Sequence, residues 1–156
     1  MTAPAVVRDA TRDDLEHIIA MLADDPLGLH RETVTSPPAP AYIAAFDAIE
    51  ADPRTRLLVL EWEGRVAGTL QLTFLPGLNR RGMERAQIEG VRVDSTIRGH
   101  GLGHQLVSAA VELARERGCG LVQLTTDLQR HDAFRFYESL GFQHTHAGMK
   151  LSLEAE

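Results

Sequence analysis

The sequence predicts a mixed α/β domain, and three observations predict it. Stretches rich in β-branched residues alternate with stretches of helical periodicity along the chain. From Gln87 to Thr125 a strand, a glycine-bearing turn, an amphipathic helix and a second strand follow in succession, the pattern of a crossover between neighbouring strands. The chain has 156 residues, a one-domain length at which folding buries about 68 to 70 per cent of the surface. With no internal repeat, low-complexity tract or long linker, residues 1–156 are expected to form a single domain.

The elements follow in order. Val6, Val7 and Arg8 predict a short first strand, after which Thr11 and Asp14 form a capping-box-like start to a helix through Ile18, Ile19 and Leu22. That helix is expected to end near Asp24 to Pro26. Pro37, Pro38 and Pro40 make the next stretch irregular before a second helix with Tyr42, Ile43, Phe46 and Ile49. Arg56 to Trp62, the turn Glu63-Gly64, and Arg65 to Leu75 read as a β-hairpin. Pro76 to Arg85 breaks the pattern with a loop containing Arg80, Arg81 and Arg85; it either meets an anionic ligand or is a solvated basic loop. A strand from Gln87 to Val93 carries Gly90 where a bulge is expected. The helix from Gly101 stops at Gly118 and Gly120. Leu121 to Thr125 is a fifth strand, Asp132 to Leu140 a short helix, and Phe142 to His144 with Met149 to Leu153 a closing pair.

Composition narrows the function classes. The chain is 44% hydrophobic and 24% charged, ordinary for a globular protein. A net charge of -6 argues against nucleic acid as the main partner, because duplex binding draws on clustered Lys and Arg. One cysteine, Cys119, precludes an internal disulfide and reads as a small buried thiol rather than a nucleophile. No apolar run approaches the roughly 20 residues that span a bilayer, and MTAPAVVRDA lacks the order of a signal peptide, so no membrane partner and a cytoplasmic location are expected.

The stretch QIEGVRVDSTIRGHGLGHQLVSAAVELARER, Gln87 to Arg117, carries the chemistry. Gly99, Gly101 and Gly103 at a helix start admit backbone angles closed to other residues and leave N–H groups uncovered. Those groups make an anion site, and the helix dipole adds about 0.3 to 1 kcal/mol of preference for negative charge. The dinucleotide pattern G-x-G-x-x-G fails, since His104 or Leu106 stands where its third glycine belongs. No Lys-Ser or Lys-Thr pair follows, which excludes a Walker A loop.

The turn resembles motif A of the GCN5-related N-acetyltransferases (GNAT), Gln/Arg-x-x-Gly-x-Gly/Ala, met by Arg98, Gly101 and Gly103 after a strand with Glu89. DAFRFYESLGF, Asp132 to Phe142, resembles the family's motif B at the spacing the family shows. The resemblance covers about Val6 to Leu153 and implies the GNAT fold: a mixed central sheet of six to seven strands flanked by about four helices, splayed between the fourth and fifth strands. It implies acetyl-CoA as donor and a small-molecule amine as acceptor, with the region after the first helix lining the acceptor side. Amides of Gly99, His100, Gly101, Leu102, Gly103 and His104, beside Arg98, are expected at the pyrophosphate. Val91 and Val93 are expected to pair with the pantetheine through their backbones, and Gly90 to mark the splay. Many members carry an asparagine where Arg130 stands, so Arg130 either meets the coenzyme phosphates or caps a helix. Dimers are common among similar proteins, and a homodimer stays open because no stretch here specifies an interface.

Aminolysis of a thioester sets two tasks. An alkylamine with a pKa near 10.4 is neutral about once in 10^3 at pH 7, a deficit of roughly 4 to 5 kcal/mol that a base helps to recover. Glu89 is the candidate base, acting through water; the competing reading has it facing solvent or pairing with an arginine. The leaving thiolate needs a proton, and a phenol, with a pKa of about 10, suits it. Tyr137 holds the family's motif-B tyrosine and is the candidate acid, with packing among Phe134, Phe136 and Phe142 as its competing role. His100 and His104 are four apart, but no H-E-x-x-H arrangement accompanies them and no metal is expected. Two alternatives stay open: a non-catalytic acyl-CoA-binding sensor on the same fold, and transfer of a bulkier acyl group through a wider slot beside Val91 and Leu124.

Overall fold

The computed structural model describes residues 4–155. The chain divides into two compact units, Met1–Leu124 and Thr125–Glu156. The first is built on a sheet of five strands in spatial order, β1 (Val6–Asp9), β2 (Thr55–Trp62), β3 (Arg65–Leu75), β4 (Arg85–Val93) and β5 (Leu121–Leu124). Neighbours run antiparallel except β4 and β5, which are parallel. A parallel pair needs a crossover, and the helix α5 (Leu102–Arg117) provides it. Before it come α1 (Leu15–Ala23), α2 (Gly28–Arg31), α3 (Pro40–Ala51) and the single turn α4 (Asn79–Gly82).

Alternation sorts the side chains of β2, β3 and β4 onto two faces. One carries Leu58, Leu60, Leu70, Leu72, Ala86 and Ile88, each at most 1% exposed. It receives the apolar stripe of α5, where Leu102, Leu106, Val107, Ala110 and Ala114 are buried. Each such leucine, fully buried, contributes about 1.5 to 3 kcal/mol of transfer free energy. Gly68 lets this helix approach, since a Cβ there would lie 3.3 Å from Leu106 Cδ2. On the other face α1 and α3 pack over Leu57 through Leu15, Ile19 and Phe46. Asp14 anchors α1: its carboxylate accepts the Thr11 N–H at 2.7 Å and the Arg8 guanidinium at 2.7 and 3.0 Å.

The second unit contains α6 (His131–Ser139) and the chain beyond it. Gly141 at φ 94° ends the helix, and the Phe142 N–H bonds back to the Tyr137 carbonyl at 3.1 Å.

Three expectations are corrected. The six to seven strands are five among the described residues, because Phe142–His144 and Met149–Leu153 form no strand pair. The Phe142 amide is used to close α6, its ring packs on Tyr137, and Met149, Leu151 and Leu153 are 95, 85 and 92% exposed. The described helices number six rather than about four, the additions being the single turns α2 and α4. Arg80 and Arg81 in α4 take left-handed angles, φ 57° and 62°, while Arg85 belongs to β4 and not to the loop.

Candidate functional site

β4 changes character at Glu89. Glu89 pairs with Gln71 of β3 and Arg92 with Thr69, so Gly90 and Val91 together face Leu70. This is the expected bulge, and Gly90 takes φ 63° to make it. A side chain at that angle would cost roughly 1 to 2 kcal/mol. Pairing with β5 runs from Arg85↔Leu121 to Ile88↔Leu124 and no further. From Glu89 to Val93 the edge of β4 toward β5 has no strand partner among the described residues, because β5 ends at Leu124, opposite Ile88.

Glu89 is exposed just past the last β4–β5 pair, and its Oε1 accepts the Gln87 side-chain amide at 3.0 Å. It borders a pocket of about 90 Å³ whose wall includes Ile18 and Leu22 of α1, Leu57, Gln71 and Gly90. The α1 residues were not among the predicted site residues. Their helical spacing marks them as a buried face, and nothing in that signal separates a core position from a pocket wall.

Beyond β4 the chain makes a tight passage into α5. Asp94 accepts the Thr96 N–H at 2.9 Å and its hydroxyl at 2.7 Å, and these bonds hold its carboxyl below the usual carboxylate range. Gly99 and Gly101 follow with φ 91° and 72°, and no side chain caps α5. By helix geometry the first-turn amides of Leu102 and Gly103 have no carbonyl of their own helix to bond. A Cβ added at Gly99 or Gly101 would meet nothing within 4 Å, so open space borders the loop at both glycines. Arg98, His100 and His104 are exposed around it. The residues therefore fit a pyrophosphate. Trp62, which the sequence reading passed over, lies with its ring 4.8 Å from that of His100. The hairpin register carries the signal: β2 ends at Trp62, two residues past Leu60, whose partner Gly68 stands opposite Val93.

In the second unit Tyr137 lies half-buried on α6. Its ring meets Phe136 edge-on at 5.0 Å and Phe142 at 5.8 Å, so packing is part of its role. Arg130 is the residue before α6; its carbonyl accepts the Ala133 N–H, and its side chain makes no cap.

Cys119 is half-buried, with Sγ 3.8 Å from Glu84 Oε1, and burial pushes its thiol up, away from the reactive thiolate. Among the described residues no three His, Cys, Asp or Glu side chains are grouped to hold a metal ion. No described helix is long and apolar enough to cross a membrane.

Known proteins resemble this chain in sequence and in fold. The model of the Acetyltransferase (GNAT) family matches residues 18–142. The glucosamine 6-phosphate N-acetyltransferase of Trypanosoma brucei brucei is 34% identical over 99 residues, 64% of this chain and 65% of that protein. The aminoalkylphosphonate N-acetyltransferase of Salmonella typhimurium is 28% identical over 140 residues, 90% of this chain and 86% of the other. Among solved structures, one described as a transcriptional regulator from Bacillus halodurans superposes with a TM-score of 0.93 at 49% identity, covering 96% of this chain and all of that one.

Proposed function

Because the chain belongs to the GNAT acetyltransferase family, we propose that it transfers an acetyl group from acetyl-CoA to a primary amine of a small molecule, by direct attack in a ternary complex. The observation that carries this reading is the edge of β4 left without a strand partner from Glu89 to Val93 among the described residues, shortly before an uncapped, glycine-lined helix start. Acetyl-CoA supplies the activated acyl group. The amides from Gly99 to His104 bind its pyrophosphate with Arg98 and Arg130 adding positive charge, and the backbones of Val91 and Val93 receive the pantetheine as an added strand. A backbone N–H near Val91 stabilises the charge that develops on the carbonyl oxygen. As the amine nitrogen bonds to the carbonyl carbon, Glu89 takes the amine's proton through water and passes it to solvent. The C–S bond breaks, Tyr137 gives its phenolic proton to the leaving sulfur, and the phenolate regains a proton from solvent. Holding both reactants in one slot supports the rate further, since oriented binding is worth about 7 to 11 kcal/mol.

The acceptor class this reading favours is an amine that also bears a phosphate or phosphonate, as the names of two relatives indicate for those proteins. We read residues 1–156 as one acetyltransferase domain working in a reducing cytoplasm, with Cys119 as its thiol. A second reading, a sensor that holds an acyl-CoA without turning it over, is favoured by the description of the Bacillus halodurans neighbour as a transcriptional regulator.

Thiol release from acetyl-CoA across a panel of amines, with and without phosphoryl groups, tests both readings. Turnover on one amine class is expected. Tight CoA binding without turnover on any amine would favour the sensor, and absence of CoA binding would exclude both.

A further inference from the structure

Arg85, Gln87 and Glu89 alternate along one face of β4, while Ala86 and Ile88 are buried on the other. Gln123 of β5 stands opposite Gln87 in the parallel register. These four side chains form one continuous chain of hydrogen bonds. Arg85 Nη1 donates to Gln123 Oε1 at 3.2 Å, Gln123 Nε2 donates to Gln87 Oε1 at 3.0 Å, and Gln87 Nε2 donates to Glu89 Oε1 at 3.0 Å.

The two ends of this chain dictate its direction. A guanidinium has no acceptor and an ionised carboxylate no donor, so each amide between them has one satisfactory orientation, oxygen toward Arg85 and N–H toward Glu89. Turning either glutamine around would set like against like at both of its contacts. Arg85, Gln87 and Gln123 are half-buried, and aligned bonds in such surroundings strengthen one another. At the far end stands an exposed glutamate with three side-chain torsions to restrict. Among the described residues, Gln87 is the side chain that bonds it, and only through Oε1.

We propose that Gln87, oriented by Gln123 and Arg85, is a positioning residue that fixes the Glu89 carboxylate for proton acceptance; this rests on Glu89 being the base. Oε1 is held by the amide, and Oε2 is left for the proton. None of the three supporting residues needs to touch the amine or the thioester.

The test compares Gln87→Leu, Gln123→Leu, Gln123→Glu and Arg85→Leu, each in the wild-type and the Glu89→Gln background, by kcat for thiol release, CoA affinity and thermal melting. The kcat is expected to fall about tenfold for Gln87→Leu, less for Gln123→Leu and least for Arg85→Leu, with CoA affinity and melting retained. Gln123→Glu keeps size and the Arg85 contact but offers Gln87 only an acceptor, which turns the Gln87 oxygen onto Glu89. It is expected to cost more than Gln123→Leu. All four losses should vanish in the Glu89→Gln background, where the base they position is gone. Losses that persist there, or wild-type kcat in Gln87→Leu while Glu89→Gln is impaired, overturn the positioning chain and leave the base reading standing. Full activity of Glu89→Gln overturns both.

Discussion

The rings of Trp62 and His100 meet at 4.8 Å with their planes tilted by 38°, joining the end of β2 to the glycine turn ahead of α5. Two left-handed glycines, Gly99 and Gly101, leave that turn few restraints of its own. Trp62→Ala frees the turn, so that ordering it falls on ligand binding. CoA affinity measured by calorimetry is expected to weaken about three- to tenfold, in line with the roughly 0.5 to 1.5 kcal/mol of an aromatic pair.

Gly101 takes φ 72° at the N-terminus of α5, whereas Gly103 lies inside the helix and outside the left-handed set. Gly101→Ala should lower stability by about 1 to 2 kcal/mol in thermal or urea unfolding. Gly103→Ala should bring no such backbone strain. Both add a methyl group beside the proposed pyrophosphate amides, so both should weaken CoA binding, and only the first should also lower the melting temperature.

Asp14 links stability to pH. Hydrogen bonding from Arg8 comes first among the causes that hold its carboxyl below the usual range, and the Thr11 N–H adds to it. A folded-state value below the unfolded one of about 3.9 means that this stabilisation is present above that pH. It is lost as pH falls through the folded value. Asp14→Asn is expected to cost about 1 to 3 kcal/mol at pH 7 and to flatten the loss of stability in melts recorded from neutral pH down into the acid range.

Tyr137 rests edge-on between Phe136 and Phe142, contacts that a phenylalanine ring preserves. Tyr137→Phe should therefore melt near the wild-type temperature while kcat falls at least about tenfold, the scale of a lost proton donor. Tyr137→Leu should lose both turnover and stability.

What was legible in the sequence is what short-range pattern determines. The hairpin across Glu63-Gly64, the helix start at Thr11 and Asp14 and the bulge at Gly90 rest on residues within a few positions of each other, the crossover through α5 rests on a succession of such local elements, and each is found. The closing strands failed because Met149, Leu151 and Leu153 alternate like a strand, yet a strand needs a neighbour to bond, and pattern cannot supply one. A motif marked Glu89 and the glycine turn as candidates, and the structure puts Glu89 just past the β4–β5 pairing and Gly99 and Gly101 in left-handed angles ahead of α5; their roles are what we propose. Trp62 beside His100, Ile18 and Leu22 in the pocket wall, and Gln123 beside Gln87 are brought together across separations of 34 residues or more. Strand register makes Gln87 and Gln123 neighbours, and tertiary packing of a helix and a turn against the sheet does so for the others.

The most direct test of the account is the turnover of Glu89→Gln against wild type, at saturating acetyl-CoA and with CoA affinity measured in parallel. Loss of at least about tenfold in kcat with CoA affinity retained is predicted, as removal of a general base requires. Wild-type turnover in Glu89→Gln would contradict it, and the carboxylate just past the last β4–β5 pair would then have no part in the transfer.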